Sequence, residues 1–128
     1  MTAAKCQSFA CKDFVVWMKI CIYGHDVLTS LEAGKANAAA GGFARAESLL
    51  REAREKAQGF VKPGELMSLI PLATSEQALG YFYQTRRRTA EARACYQELV
   101  ALWQKLGDPN EYVARQRSAA ERLLVSAR

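Results

Sequence analysis

The sequence predicts an all-α protein in which antiparallel helical hairpins stack into a short array of about five helices. Three observations carry this. First, the chain repeats itself every 46 residues: Gly34 falls on Gly80, Ala46 on Ala92, Leu50 on Tyr96, Ala53 on Leu99, Pro63 on Pro109 and Glu65 on Glu111. Self-similarity at such a period marks stacked units, none of which can bury its apolar face alone. Second, alanine and arginine are abundant and β-branched residues sparse, and no Asn-Gly or Asp-Gly marks a hairpin turn. Third, apolar residues recur at helical spacing along most of the chain.

The totals bound the rest. At 128 residues there is room for one domain with a real core, expected over residues 12–128. The net charge of +5 suits an acidic partner or nucleic acid. Much of the excess alternates with glutamate (Arg45, Glu47, Arg51, Glu52, Arg54, Glu55), as on a solvated helix face. The one dense cluster is Arg86, Arg87 and Arg88. Cysteines stand at positions 6, 11, 21 and 95, without the paired spacing of a disulfide framework or a zinc site, so reduced thiols and a cytoplasmic location are expected. Lys5 and Lys12 precede an apolar run, but Lys19 interrupts it, and the run is too short to span a bilayer.

Residues 1–11 carry no periodicity and are expected to be disordered. From Lys12, the apolar positions Phe14, Trp17, Met18, Cys21, Leu28 and Leu31 read as helix, with Gly24 dividing it and Asp26 able to cap the second part. Gly41-Gly42 ends this segment, because glycine takes the left-handed conformation at a helix C-terminus without steric cost. The next helix runs from Phe43 to about Gln58 on the stripe Phe43, Ala46, Leu49, Leu50, Ala53 and Ala57. Residues 59–64, with Pro63, form a break. A third helix reaches from Glu65 to about Thr85; either it kinks at Pro71, or Pro71 lies in the first turn of a helix beginning near Ile70. Arg86–Arg88 occupies the place of Gly41-Gly42 and is the expected turn. Thr89 is a candidate N-cap for a fourth helix with Ala92, Cys95, Tyr96, Leu99, Leu102, Trp103 and Leu106 on one face. Gly107-Asp108-Pro109 ends it; Asp108 is a candidate cap and Pro109 a first position for the last helix, which runs to about Ser126. That helix stands without a hairpin partner, as expected of a solvating end helix in a complete chain.

Gly34, the run Gly42-Phe43-Ala44-Arg45-Ala46-Glu47 and Leu50-Arg51-Glu52-Ala53 resemble the tetratricopeptide repeat, as do Leu79-Gly80, Tyr83, Ala92 and Tyr96. The resemblance divides the chain into repeat 1 (about 18–63), repeat 2 (about 64–109) and a C-terminal capping helix (110–127). It implies a TPR-like right-handed array. The period exceeds the family's usual length of about 34 residues, as in the extended repeats of kinesin light chains. Ser30 or Glu76 stands where a tryptophan is expected, and Asn37 where tyrosine is common. The resemblance implies a concave groove lined by Leu31, Lys35 and Ala38, then Gln77, Tyr81 and Gln84. Lys35, Gln77, Tyr81 and Gln84 would there contact an extended peptide or a partner helix. Of the family's carboxylate clamp only Lys35 is a near match, so capture of a C-terminal carboxylate is not expected.

The run from Phe14 to Tyr23 is apolar nearly all round, with Phe14, Val15, Trp17, Met18, Ile22 and Tyr23 as candidate interface residues. Such a helix needs cover on both sides: a homodimer, a docked partner, a fold back into the groove, or deep burial in the monomer. Arg86, Arg87 and Arg88, with Arg45 and Arg93, could hold phosphates or an acidic peptide, or simply solubilise a turn. No aromatic interleaves with them, and no helix-turn-helix is evident. The one histidine, His25, lies near Cys21 and Asp26 on a greasy helix with no glycine-rich turn, so no enzyme activity, cofactor or metal is expected. The resulting expectation is a non-enzymatic protein-interaction module (adaptor, scaffold or chaperone); the alternative is a nucleic-acid-associated regulator using the arginine cluster.

Overall fold

The computed structural model describes residues 26–106 and 110–127. Expectations for residues 1–25, including the disordered start, His25 and the apolar interface Phe14, Val15, Trp17, Met18, Ile22 and Tyr23, lie outside the described residues. So do those for Gly107, Asp108 and Pro109. The described chain is all-helical, with no strand. Residues 26–39 are helical (α1), followed by α2 (Phe43–Gln58), α3 (Leu66–Thr85), α4 (Thr89–Lys105) and α5 (Glu111–Ser126). No described helix is long and apolar enough to cross a membrane.

The 46-residue period is visible as repeated geometry. α1 ends in a Schellman turn: Gly42 N–H donates to the Asn37 carbonyl (2.8 Å), and Gly41 N–H to that of Ala38 (3.1 Å), with Gly41 at φ +88°. α3 ends in the same way one period on. Arg88 N–H donates to the Tyr83 carbonyl (2.9 Å) and Arg87 N–H to that of Gln84 (3.1 Å), with Arg87 at φ 61°. Each turn folds the next helix back antiparallel. The first hairpin is tied near its open end by Lys56 on Asp26 (3.1 Å) and Ser30 (3.2 Å).

Within each hairpin the helices cross at a glycine. A Cβ built on Gly34 would meet Leu50 Cδ2 at 2.9 Å, and one on Gly80 would meet Tyr96 Cε1 at 2.6 Å. Ala46 and Ala92 are fully buried beside these crossings. The core stripe of α2 (Ala46, Leu49, Leu50, Ala53, Ala57) is buried as its spacing predicts, and so is that of α4 (Ala92, Cys95, Tyr96, Leu99, Trp103). Phe43 departs from the stripe: it is partly exposed and carries the Arg86 guanidinium on its ring face, 3.7 Å from the centroid.

α3 packs against both α2 and α4, and α4 against α5. Because α3 has neighbours on several sides, it buries Leu69, Leu72, Ala73, Leu79, Phe82 and Tyr83 around its circumference. It begins at Leu66 and runs through Pro71 to Thr85, so the reading with a start near Ile70 does not hold. The loop before it is fastened by Ser68, whose hydroxyl accepts from Lys62 N–H (2.9 Å) and donates to the Glu65 carbonyl (2.8 Å). The expected cap of α4 is displaced: Arg88 occupies the N-cap place, without a side-chain cap bond, and Thr89 is the first helical residue. The last helix begins at Glu111, where Asn110 Oδ1 accepts from Val113 N–H (2.9 Å).

Arg87 holds a left-handed conformation that glycine holds in the first unit, at a cost of about 1 kcal/mol for an L side chain. Arg87→Gly is expected to raise stability by roughly 0.5 kcal/mol, the gain being trimmed by glycine's larger chain entropy. Urea unfolding measures it, and a destabilised variant would contradict the repeated turn.

Candidate docking groove

α1 and α3 lie side by side and leave a groove of about 360 Å³ between them. Lys35, Ala38 and Ala39 line one wall, Ala78, Tyr81 and Thr85 the other, and Leu50 and Phe82 lie beneath. Ala38, Ala39 and Ala78 keep the cleft open where larger side chains would fill it. Tyr81 is 64% exposed, an aromatic ring standing at the rim. Lys35 forms a loose pair with Glu32 (3.6 Å), and more than half of each side chain meets solvent. Further towards the N-terminus of α3 lies a smaller recess of about 60 Å³ shared with α5, lined among others by Thr74, Gln77, Tyr112 and Gln116.

Of the four candidate groove residues, Lys35 and Tyr81 therefore line one cleft, together with Ala38. Gln77 belongs to the neighbouring recess. Gln84 is committed elsewhere: its amide nitrogen donates to the Ser126 carbonyl (3.3 Å), and its oxygen accepts from Tyr96 OH (2.9 Å). Leu31 is buried in the core rather than on the groove wall. Sequence reasoning missed Ala39 and Thr85, although the period pairs them with each other just as it pairs Lys35 with Tyr81.

The three arginines do not act as one patch. Arg88 is built into the contact between the units: its Nη1 donates to Glu47 Oε1 (2.8 Å), its Nε to Glu91 Oε1 (2.7 Å), and its guanidinium lies over the Tyr83 ring. Tyr83 OH donates to Glu47 Oε2 (2.7 Å) and accepts from Arg51 Nε (3.0 Å). The hydrogen bond from Arg88 is the largest influence on Glu47, and its carboxyl is held below the ordinary range. Arg86 stacks on Phe43, and Arg87 stands exposed at the tip.

A second polar cluster is buried where α2, α3 and α4 meet. Glu76 is 2% exposed, yet its Oε2 has no hydrogen-bond partner among the described residues. Arg54 Nε lies 3.7 Å from Glu76 Oε1, beyond hydrogen-bond reach. Burial pushes the Glu76 carboxyl up to about 7, with Arg54 opposing and Glu98 adding to the rise. Burial, reinforced by Glu76, likewise pushes the Cys95 thiol up to about 12, so at neutral pH it is a thiol rather than a nucleophilic thiolate. Among the described residues no group of three His, Cys, Asp or Glu could hold a metal. The groove is lined mostly by apolar side chains, with Lys35, Tyr81 and Thr85 as its polar groups. No protein-family model, curated protein or solved structure matches this chain.

Glu76 links stability to pH. Its folded pKa lies above the ordinary 4.5, so the stability it confers is full below pH 4.5 and is lost as pH rises through about 7. The loss is of order 3 kcal/mol. Urea unfolding at about pH 5 and about pH 8, on either side of that value, should show this fall in the parent chain and not in Glu76→Gln. Equal falls in both would show that Glu76 is already ionised in the folded state.

Proposed function

We propose that this chain is a non-enzymatic protein-interaction module of tetratricopeptide-like type, acting as an adaptor, scaffold or chaperone in the cytoplasm. It binds a partner peptide or helix in the groove between α1 and α3. The observation that carries this reading is the groove itself: Ala38, Ala39 and Ala78 leave open a largely apolar cleft of about 360 Å³ with Tyr81 exposed at its rim. Tyrosine at the edge of an apolar cleft is a frequent energetic anchor in protein interfaces. The two glycine crossings and the two matching Schellman turns support the repeat assignment, since each unit packs its hairpin by the same device. The apolar segment Phe14–Tyr23 is a second candidate surface, for a partner or a homodimer.

The nucleic-acid reading draws less support. Arg88 is spent on Glu47 and Glu91, and Arg86 on Phe43, which leaves Arg87 to meet phosphate among the three.

The test is affinity capture from an extract of the source cell, followed by calorimetry of the captured partner. Tyr81→Ala should weaken binding by about 2 kcal/mol, roughly thirtyfold, and removal of residues 1–24 should leave groove binding in place. Affinity unchanged by Tyr81→Ala and lost on truncation would move the site to the N-terminal segment. Binding carried by nucleic acid and steeply weakened by salt would favour the alternative.

A further inference from the structure

We infer that the junction of α2, α3 and α4 is a seam held shut by one proton. With Glu76 protonated, the two units close over the Cys95 thiol; with Glu76 ionised, they part locally and admit water and small solutes to it. This holds whatever the groove binds.

The place of Glu76 makes the seam. α2 ends the first unit and α3 begins the second, and the two pack directly on each other. Glu76 stands on α3 with 2% of its surface exposed. The charged and titratable groups that act on it are Arg54 from α2, and Cys95 and Glu98 from α4. One period earlier stands Ser30, a neutral hydroxyl that accepts from Lys56 Nζ (3.2 Å). The second unit therefore carries an ionisable group where the first carries none.

The surroundings suit the neutral form. Glu76 Oε2 and Arg54 Nε are both buried and both without a hydrogen-bond partner among the described residues, and Oε1 lies 3.7 Å from that Nε. A junction built for a permanent ion pair closes it, as Arg88 and Glu47 do at 2.8 Å across the same two units. A buried carboxylate with an oxygen left open is costly, whereas the acid form is tolerated. Burial is accordingly the chief influence on the Glu76 carboxyl; Arg54 and Cys95 oppose the rise and Glu98 adds to it. Ionisation favours any arrangement that hydrates the group. A route exists, since the Arg54 side chain runs from the cluster to the surface, where 29% of it is exposed. Opening along this line leaves the helices on either side intact. Cys95 records the event: it interacts with the same carboxyl and is 3% exposed while the seam is shut.

Pulse labelling with N-ethylmaleimide tests the inference. The native full-length chain is labelled between about pH 5 and about pH 8, on either side of the Glu76 titration. Modification of Cys95 is read by peptide mass spectrometry against the urea-unfolded chain at the same pH, which removes the thiol's own titration. Protection of Cys95 should fall roughly fiftyfold over that range. It should depend little on low concentrations of urea, because a local opening exposes little surface. In Glu76→Gln, which keeps the shape without the charge, protection should not change with pH. If that variant does not fold, Arg54→Gln serves instead: without the opposing cation, the fall should continue to higher pH than in the parent chain. Protection that depends on urea as steeply as global unfolding would overturn the seam and leave Glu76 a determinant of overall stability alone. Protection indifferent to pH, or falling equally in Glu76→Gln, would overturn it too.

Discussion

The contact on which the structure depends is the crossing of a glycine against a large side chain inside each hairpin. Gly80 lets the Tyr96 ring approach to within what a Cβ would occupy, and Gly34 does the same for Leu50. Glycine inside a helix costs about 0.5–1 kcal/mol relative to alanine, so helix propensity argues against both residues. Packing argues for them: Tyr96 is fully buried, its hydroxyl donates to Gln84, and that amide also reaches the Ser126 carbonyl of α5. One crossing therefore sets the spacing of α3 and α4 and ties both to the last helix. Close hairpins in turn leave α1 and α3 as neighbours whose facing alanines form the groove.

Between the units, two glutamates show opposite solutions to burial. Glu47 is half-buried and fully engaged, with Arg88, Tyr83 and Arg51 around it, so its charge is favoured and joins α2 to the second hairpin. Glu76 is buried with its Oε2 unpartnered among the described residues, and burial pushes its carboxyl up towards neutrality. The first is a fastener. The second is a polar group in the core that lowers stability as pH rises, in a position where the repeat resemblance leads one to expect an aromatic residue.

Helix boundaries were legible wherever punctuation was strong. Gly41-Gly42 closes α1, and the stripe from Phe43 to Gln58 delimits α2 to the residue. The period also carried Gly41 onto Arg87 and so located the second turn. What escaped were features decided by tertiary neighbours. Asn110 caps the last helix, a role that neither the period nor an apolar stripe picks out. Pro71 lies within α3 because packing on α2 and α4 outweighs one lost backbone bond. Three consecutive arginines read as one patch, but a turn points successive side chains in different directions, and Arg86, Arg87 and Arg88 found separate fates. Of the groove, Lys35, Ala38 and Tyr81 were visible from the resemblance, whereas Gln84 was claimed by Tyr96 and Ser126, contacts that no local pattern encodes.

The most direct measurement is a double-mutant cycle on the second crossing, combining Gly80→Ala with Tyr96→Leu, which installs the side chain that the first unit uses. In the parent chain Gly80→Ala should destabilise by about 1–3 kcal/mol, because a buried, hydrogen-bonded ring cannot yield. In the Tyr96→Leu background the facing side chain is smaller and flexible. There the same alanine should cost clearly less, since a leucine tip can shift where the ring cannot, giving a coupling of at least about 1 kcal/mol. Additive effects, with Gly80→Ala equally costly in both backgrounds, would show that the crossing does not set the packing of the hairpins.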